Sequence, residues 1–199
     1  KLFLFGVLST GVALFLEIYA EKIFPFSLQS NIIGILFRSF IIISFCEELV
    51  KWLFTYVICW KDKNFNYVYD AIVYCVFISL GFASIENLIA ILSNSGGFTL
   101  ALQRGLITVP AHAFFGIISG YYLGLAKKYE ARRWNKRKRK YIILSLLIPI
   151  IVHGMFDSLL FLSSTASLLF ATALIVYLYL SSALKVVKTS SEAKKITRR

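Results

Sequence analysis

The chain has 199 residues, of which 58% are hydrophobic, with a mean hydropathy of +0.75 and a formal net charge of +12. Such an apolar composition excludes a water-soluble globule of this length and indicates a polytopic membrane protein. The basic residues cluster at the ends of apolar runs, where positive charge sets membrane orientation, and this argues against nucleic acid as a partner.

Six spanning helices are predicted, over residues 2–20, 31–60, 67–94, 98–126, 141–162 and 165–188. Each reaches the roughly 20 residues needed to cross a bilayer. The longer ones are expected to tilt, kink or project. The fold class is therefore an all-α, multi-pass helical bundle, read as one membrane-embedded domain over 1–199. Leu2–Leu16 lacks a small-residue cleavage site before a polar stretch, so it reads as a helix rather than a signal peptide. Breaks are expected at Pro25, Lys61–Asn66, Asn94-Ser95-Gly96-Gly97, Ser163-Ser164 and the basic segment 127–140, read as a loop. With residue 1 inside, eighteen of the 22 Lys and Arg residues fall on the inner side and only Lys22 on the outer. That asymmetry places the 127–140 loop and the basic tail 185–199, with the C-terminus, in the cytoplasm. The basic loop is also suited to anionic lipid headgroups. Cys46, Cys59 and Cys75 are odd in number and lie in apolar runs, so they read as buried free thiols.

Polar residues inside the spans carry the functional signal. Glu47 and Glu48 sit side by side in the second span. An ionised carboxylate at bilayer depth costs about 2.5–3.5 kcal/mol on insertion scales, so a pair needs partners or a function. Neighbouring helical residues point about 100° apart, so one carboxylate is expected to face a reacting group while the other holds a partner. Lys51, one turn on, pairs with Glu47 and neutralises only one of the two. The third span carries Glu86 and Asn87. The fourth carries Pro110 and then His112, Gly116, Gly120 and Gly124, every fourth residue. The glycines predict a close helix–helix seam with His112 at its top, and Pro110 a kink. The fifth carries His153 and Asp157 one turn apart, so the Asp can orient the imidazole or share an ion with it. Arg38 and Arg104 lie near the outer ends of their helices and are expected to snorkel, Arg104 being the better functional partner because it shares a helix with His112. By residue count these acids and histidines fall between the midplane and the outer leaflet, which predicts one polar cavity in the outer half of the bilayer.

Two histidines and several carboxylates suffice to activate water. Either a carboxylate acts as general base, or His and carboxylate ligands hold a divalent metal that acidifies bound water. Both routes lead to amide hydrolysis. The H-E-x-x-H, G-x-G-D and G-x-S-G signatures of other intramembrane proteases are absent from the sequence.

Glu47-Glu48-x-x-Lys51-Trp52, Asp70-Ala71-Ile72 leading to Gly81-Phe82-Ala83-x-x-Glu86-Asn87, Pro110-x-His112 with Gly116 and Gly120-Tyr121-Tyr122, and His153-Gly154-x-x-Asp157 run in order across about 45–160. In this the chain resembles the PrsW family of intramembrane proteases, and distantly the CAAX-processing and bacteriocin-immunity group. Cys75 stands where many members have glycine, which should affect packing only. The stretch before Glu47 is short for the family and the chain starts at Lys1, so a further helix upstream is expected. The resemblance implies a bacterial cell-membrane protease that makes the first cut in a single-span anti-sigma factor on its extracytoplasmic side. On that reading Glu47, Glu48, His112 and His153 are catalytic, and His112, His153 and Glu48 are the candidate ligands of a divalent metal such as zinc. Lys51, Glu86, Asn87, Arg104 and Asp157 support them. A transporter, or an inert member that binds peptide, is the alternative.

Overall fold

The computed structural model of the chain describes residues 1–93, 97–191 and 196. It is helical throughout. Helix α1 (Leu2–Ile23) ends before a 3-10 turn at Pro25–Leu28, where the ring of Pro25 occupies a position that needs no amide donor. Asn31 then caps α2 (Ile32–Phe37), its Oδ1 accepting from Gly34 N at 2.8 Å.

The second span departs from the expectation of one plain helix over 31–60. α2 passes through a π-helical segment, Arg38–Ser44, into α3 (Phe45–Cys59) without a break in helical conformation. No Gly or Pro marks the segment. Within it Ser44 Oγ donates to Phe40 O at 3.1 Å, and Gly154 of a later helix packs closely on the Phe40 ring. The widened segment ends at Ser44, within about one helical turn of Glu47 and Glu48.

The remaining helices are α4 (Val68–Ser93), α5 (Gly97–Ala131), α6 (Asn135–Leu162) and α7 (Thr165–Ser191). Five of the helices are long and apolar enough to cross a membrane, and the composite α2–π–α3 rod makes the sixth. Phe15, Val57, Leu92, Leu169 and Leu184 are exposed on the perimeter, as in a surface that faces hydrocarbon. The three cysteines are free and buried, as expected.

The glycine stripe makes the seam its spacing predicts. A Cβ on Gly120 would lie 2.5 Å from Ala71 O and Ile72 Cα, and one on Gly124 2.5 Å from Val68 O. Only glycine lets α5 lie so near α4, and this is the largest helix–helix interface among the described residues. Gly6 of α1 and Gly81 of α4 cross in the same way. α1, α4 and α5 are thus held as a tight sheaf, with His112 at the top of the stripe.

α5 runs through Pro110 without a break. One expectation needs correction. The basic segment 127–140 is mostly helix, because α5 continues to Ala131 and α6 starts at Asn135, leaving Arg132–Trp134 as the turn. Aromatic residues interleaved with the basic ones explain it: Tyr129 stacks on Trp134 and Tyr141, and Arg137 lies 4.6 Å over the Trp134 ring. Of the breaks, Asn94-Ser95-Gly96 lies outside the described residues, as does most of the basic tail beyond Ser191. Ser163, at φ 49°, makes the turn into α7.

Candidate active site

Glu47, Glu48 and Lys51 lie in the first turns of α3 and are almost wholly buried. The i,i+3 and i,i+4 offsets bring Lys51 Nζ to 2.6 Å from Glu48 Oε1 and 3.3 Å from Glu47 Oε2. The expectation that Lys51 serves one carboxylate only does not hold. Its stem is long enough to set the ammonium between two side chains that leave the helix in different directions. Nζ also lies 3.1 Å from His112 Nδ1 and 4.4 Å from the centre of the Phe82 ring.

α6 supplies His153 and Asp157. A Cβ on Gly154 would lie 2.5 Å from the Phe40 ring, so the missing side chain is what lets α6 close on the π segment. That approach carries His153 Nδ1 to 3.0 Å from Glu48 Oε1. Its Nε2 faces Asp157 Oδ2 at 3.3 Å, the orienting contact that the one-turn spacing predicts. Phe115 stacks on the imidazole, with centroids 4.7 Å apart. Each ring nitrogen of His153 therefore has a carboxylate in front of it.

His112 sits between α3 and α4. A lysine ammonium only donates, so His112 Nδ1 accepts from Lys51 and the ring proton belongs on Nε2. Nε2 points toward Glu86 Oε2, 2.7 Å away. The approach is off the line of a hydrogen bond, and that buried oxygen has no hydrogen-bond partner among the described residues. Glu86 Oε1 accepts from Arg104 Nη2, and Asn87 Oδ1 from Arg104 Nε, both at 2.6 Å. Arg104 is thus turned into the site. Arg38, by contrast, pairs with Glu21 at 3.0 Å and takes no part in it.

A cavity of about 300 Å³ opens onto these groups, lined by Glu47, Glu86, Arg104, His112, His153 and Asp157. Glu48 and Lys51 stand behind this lining. Six of the nine residues expected in the site thus line one cavity, from α3, α4, α5 and α6, and Glu48, Lys51 and Asn87 reach it through contacts with His153, His112 and Arg104. Sequence reasoning missed Glu17. It lines the same cavity from α1, on a face shared with Thr10 and Leu14. The signal was available: Glu17 is an acid within an apolar helix long enough to span, the same reasoning that picked out Glu47.

Five carboxyl groups, those of Glu17, Glu47, Glu48, Glu86 and Asp157, are gathered with Lys51, Arg104 and two imidazoles. Glu47, Glu48, His112 and His153 each offer one ligand atom, and these atoms lie within 4.8 Å of one another. Two imidazoles and two carboxylates are donors that zinc accepts, and Asp157 behind His153 is the outer carboxylate such histidines commonly have. In type and spacing the residues fit a divalent metal. The group contains the three ligands expected, His112, His153 and Glu48, and adds Glu47.

Residues 1–184 match the family model described as PrsW family intramembrane metalloprotease. Protease PrsW of Halalkalibacterium halodurans is 42% identical over 129 residues, 65% of this chain and 57% of that protein. Protease PrsW of Clostridioides difficile is 32% identical over 198 residues, 98% of this chain and 81% of that protein. Protease PrsW of Bacillus subtilis is 37% identical over 127 residues, 64% of this chain and 56% of that protein. The match thus spans little more than half the length of the first and third of these relatives. No solved structure matches the chain.

Proposed function

The chain belongs to the PrsW family of intramembrane metalloproteases, and on that premise we propose that it is a membrane-embedded endopeptidase that hydrolyses a peptide bond of a membrane-anchored protein. The observation that carries the reading is the meeting of acids and histidines from four helices on one cavity. We read the substrate as a single-span protein of the anti-sigma type. The cut is assigned to the extracytoplasmic side, because the charge asymmetry puts the basic turn and the C-terminus inside and the cavity toward the other face.

Glu47 is the carboxylate of the α3 pair that lines the cavity, so it is placed to take a proton from water. Glu48 lies behind it, with its Oε1 between Lys51 Nζ and His153 Nδ1. Its role is to orient His153 and hold Lys51. Asp157 fixes the other side of the His153 ring. Arg104, anchored by Glu86 and Asn87, presents a guanidinium where negative charge on a carbonyl oxygen needs donors. The apolar walls, Phe82, Phe115 and Phe156, exclude bulk water and strengthen each of these contacts. Glu47, Glu48, His112 and His153 would hold a divalent metal, which when bound polarises the scissile carbonyl and acidifies water.

The test is cleavage of a co-expressed single-span reporter carrying a candidate anti-sigma segment. Glu47→Gln and His112→Ala should insert and purify like the parent and lose cleavage by about 100-fold or more. Cleavage at the parental rate by both variants rules out Glu47 and His112 as the catalytic machinery.

A further inference from the structure

Three of the four candidate metal ligands already have a cation among them. Lys51 Nζ contacts Glu48 Oε1 at 2.6 Å, His112 Nδ1 at 3.1 Å and Glu47 Oε2 at 3.3 Å. An ammonium has no acceptor capacity, so in each contact it occupies a lone pair of a candidate ligand residue and sets a positive charge where a metal ion would bring its own. For His112 this is decisive: Nδ1 is its only accepting nitrogen, because Nε2 carries the proton turned to Glu86. Nor is Lys51 a surface lysine that happens to reach inward. Its side chain is 4% exposed and its charge rests over the Phe82 ring.

We infer that Lys51 is the resident cation of this site, and that a divalent metal binds there only by displacing the Lys51 ammonium from Glu48, Glu47 and His112. The inference rests on reading these residues as the metal site. Two like charges compete at the same buried oxygens, where little water intervenes to screen them. Lysine thus keeps the metal-free site from holding adjacent carboxylates without a counter-charge, and it weakens the site's hold on metal. The same contacts make Lys51 a positioning residue, since they fix the two carboxylates and His112 Nδ1 before any ion arrives.

The experiment uses the full chain in detergent, stripped with chelator and titrated with Zn²⁺ by calorimetry, with bound zinc counted after dialysis. Lys51→Met removes the ammonium and keeps the apolar stem. Lys51→Gln removes the charge and keeps a hydrogen-bond donor, which guards against misfolding of the first variant. Both should bind zinc at least about tenfold more tightly than the parent, and adding His112→Ala should abolish the gain. Zinc should also raise the Tm of Lys51→Gln by more than it raises that of the parent. Equal or weaker zinc binding by both variants, or zinc binding by neither parent nor variants, overturns the inference. The outcome separates from that of the protease reading. Unchanged zinc affinity beside an inactive Glu47→Gln removes the competition alone. A gain in affinity beside a fully active Glu47→Gln and His112→Ala removes the catalytic assignment alone.

Discussion

The basic turn that joins α5 to α6 and the cavity between α3, α4, α5 and α6 are the two places where this molecule gathers charge. At the turn, nine Lys and Arg residues lie within 127–140 beside a single acid, Glu130. Glu130 is held by Lys127 at 3.1 Å and Lys138 at 2.5 Å, and all three side chains are 19–32% exposed. Arg132 and Arg137 lie over the Trp134 ring. In the cavity the sign is reversed and the exposure falls: Glu47, Glu48 and Lys51 are 3–4% exposed, and acids outnumber fixed cations. Similar ion-pair distances therefore have different consequences. Where water reaches, a pair contributes little and its loss is absorbed by solvent. Where water is excluded, removing one partner strands the other charge.

Glu48→Ala is the sharpest way to break this contrast. It takes the carboxylate oxygen from both Lys51 Nζ and His153 Nδ1. Lys51 keeps Glu47 and His153 keeps Asp157, so the loss should approach, without exceeding, that of a broken buried pair, about 3–5 kcal/mol, read as a drop in unfolding free energy in detergent. Glu48→Gln keeps the shape and one acceptor, so it should lose clearly less. If the two variants unfold together at the parental midpoint, the cavity charges are not stabilised by one another and the contrast with the turn disappears.

This difference also explains what the sequence could and could not reveal. Ionisable residues inside apolar runs are few and conspicuous, so Glu47, Glu86, His112, His153 and Asp157 stand out without a structure, and the glycine stripe at every fourth residue announces its own seam. Glu17 was passed over because it has no motif around it, although its position in an apolar helix carried the same information. The π segment was illegible, since no Gly or Pro marks it and Gly154, which packs on its Phe40, lies more than a hundred residues away. The reach of Lys51 to both carboxylates was also hidden, because helical direction locates a Cβ and says little of a four-carbon stem. At the turn the error ran the other way. A run of charge reads as loop, whereas Tyr129, Trp134 and Tyr141 stack and keep both helices going.

A second variant separates packing from charge. Gly120→Ala adds one methyl at the α4–α5 seam, 2.5 Å from backbone atoms of Ala71 and Ile72, which cannot yield as a side chain could. Overpacking of this kind costs about 1–3 kcal/mol, so the variant should fall between Glu48→Ala and any substitution at the turn. Gly11, with open space around its Cβ position, is the control, and Gly11→Ala should unfold with the parent. A loss at Gly120 as large as that of Glu48→Ala would mean that the seam, and not the buried charge, dominates the stability of the cavity.

The smallest effect is expected at Glu130, and it tests the other half of the comparison. Glu130→Gln removes the one acid between Lys127 and Lys138. Lys127 keeps its bond to Trp60 O at 2.6 Å and its place 4.7 Å from the Trp60 ring centre, so it is not stranded. Solvent-reached pairs are worth about 0.2–1 kcal/mol, and the loss should shrink further in high salt, since such charges are screened within about 10 Å at 0.1 M. Unfolding of parent and variant at low and high salt measures both quantities. A cost of several kcal/mol that salt does not diminish would show that aromatic side chains had excluded water from Glu130 as thoroughly as the helices exclude it from Glu48, and the two regions would then be alike in the one respect on which the comparison turns.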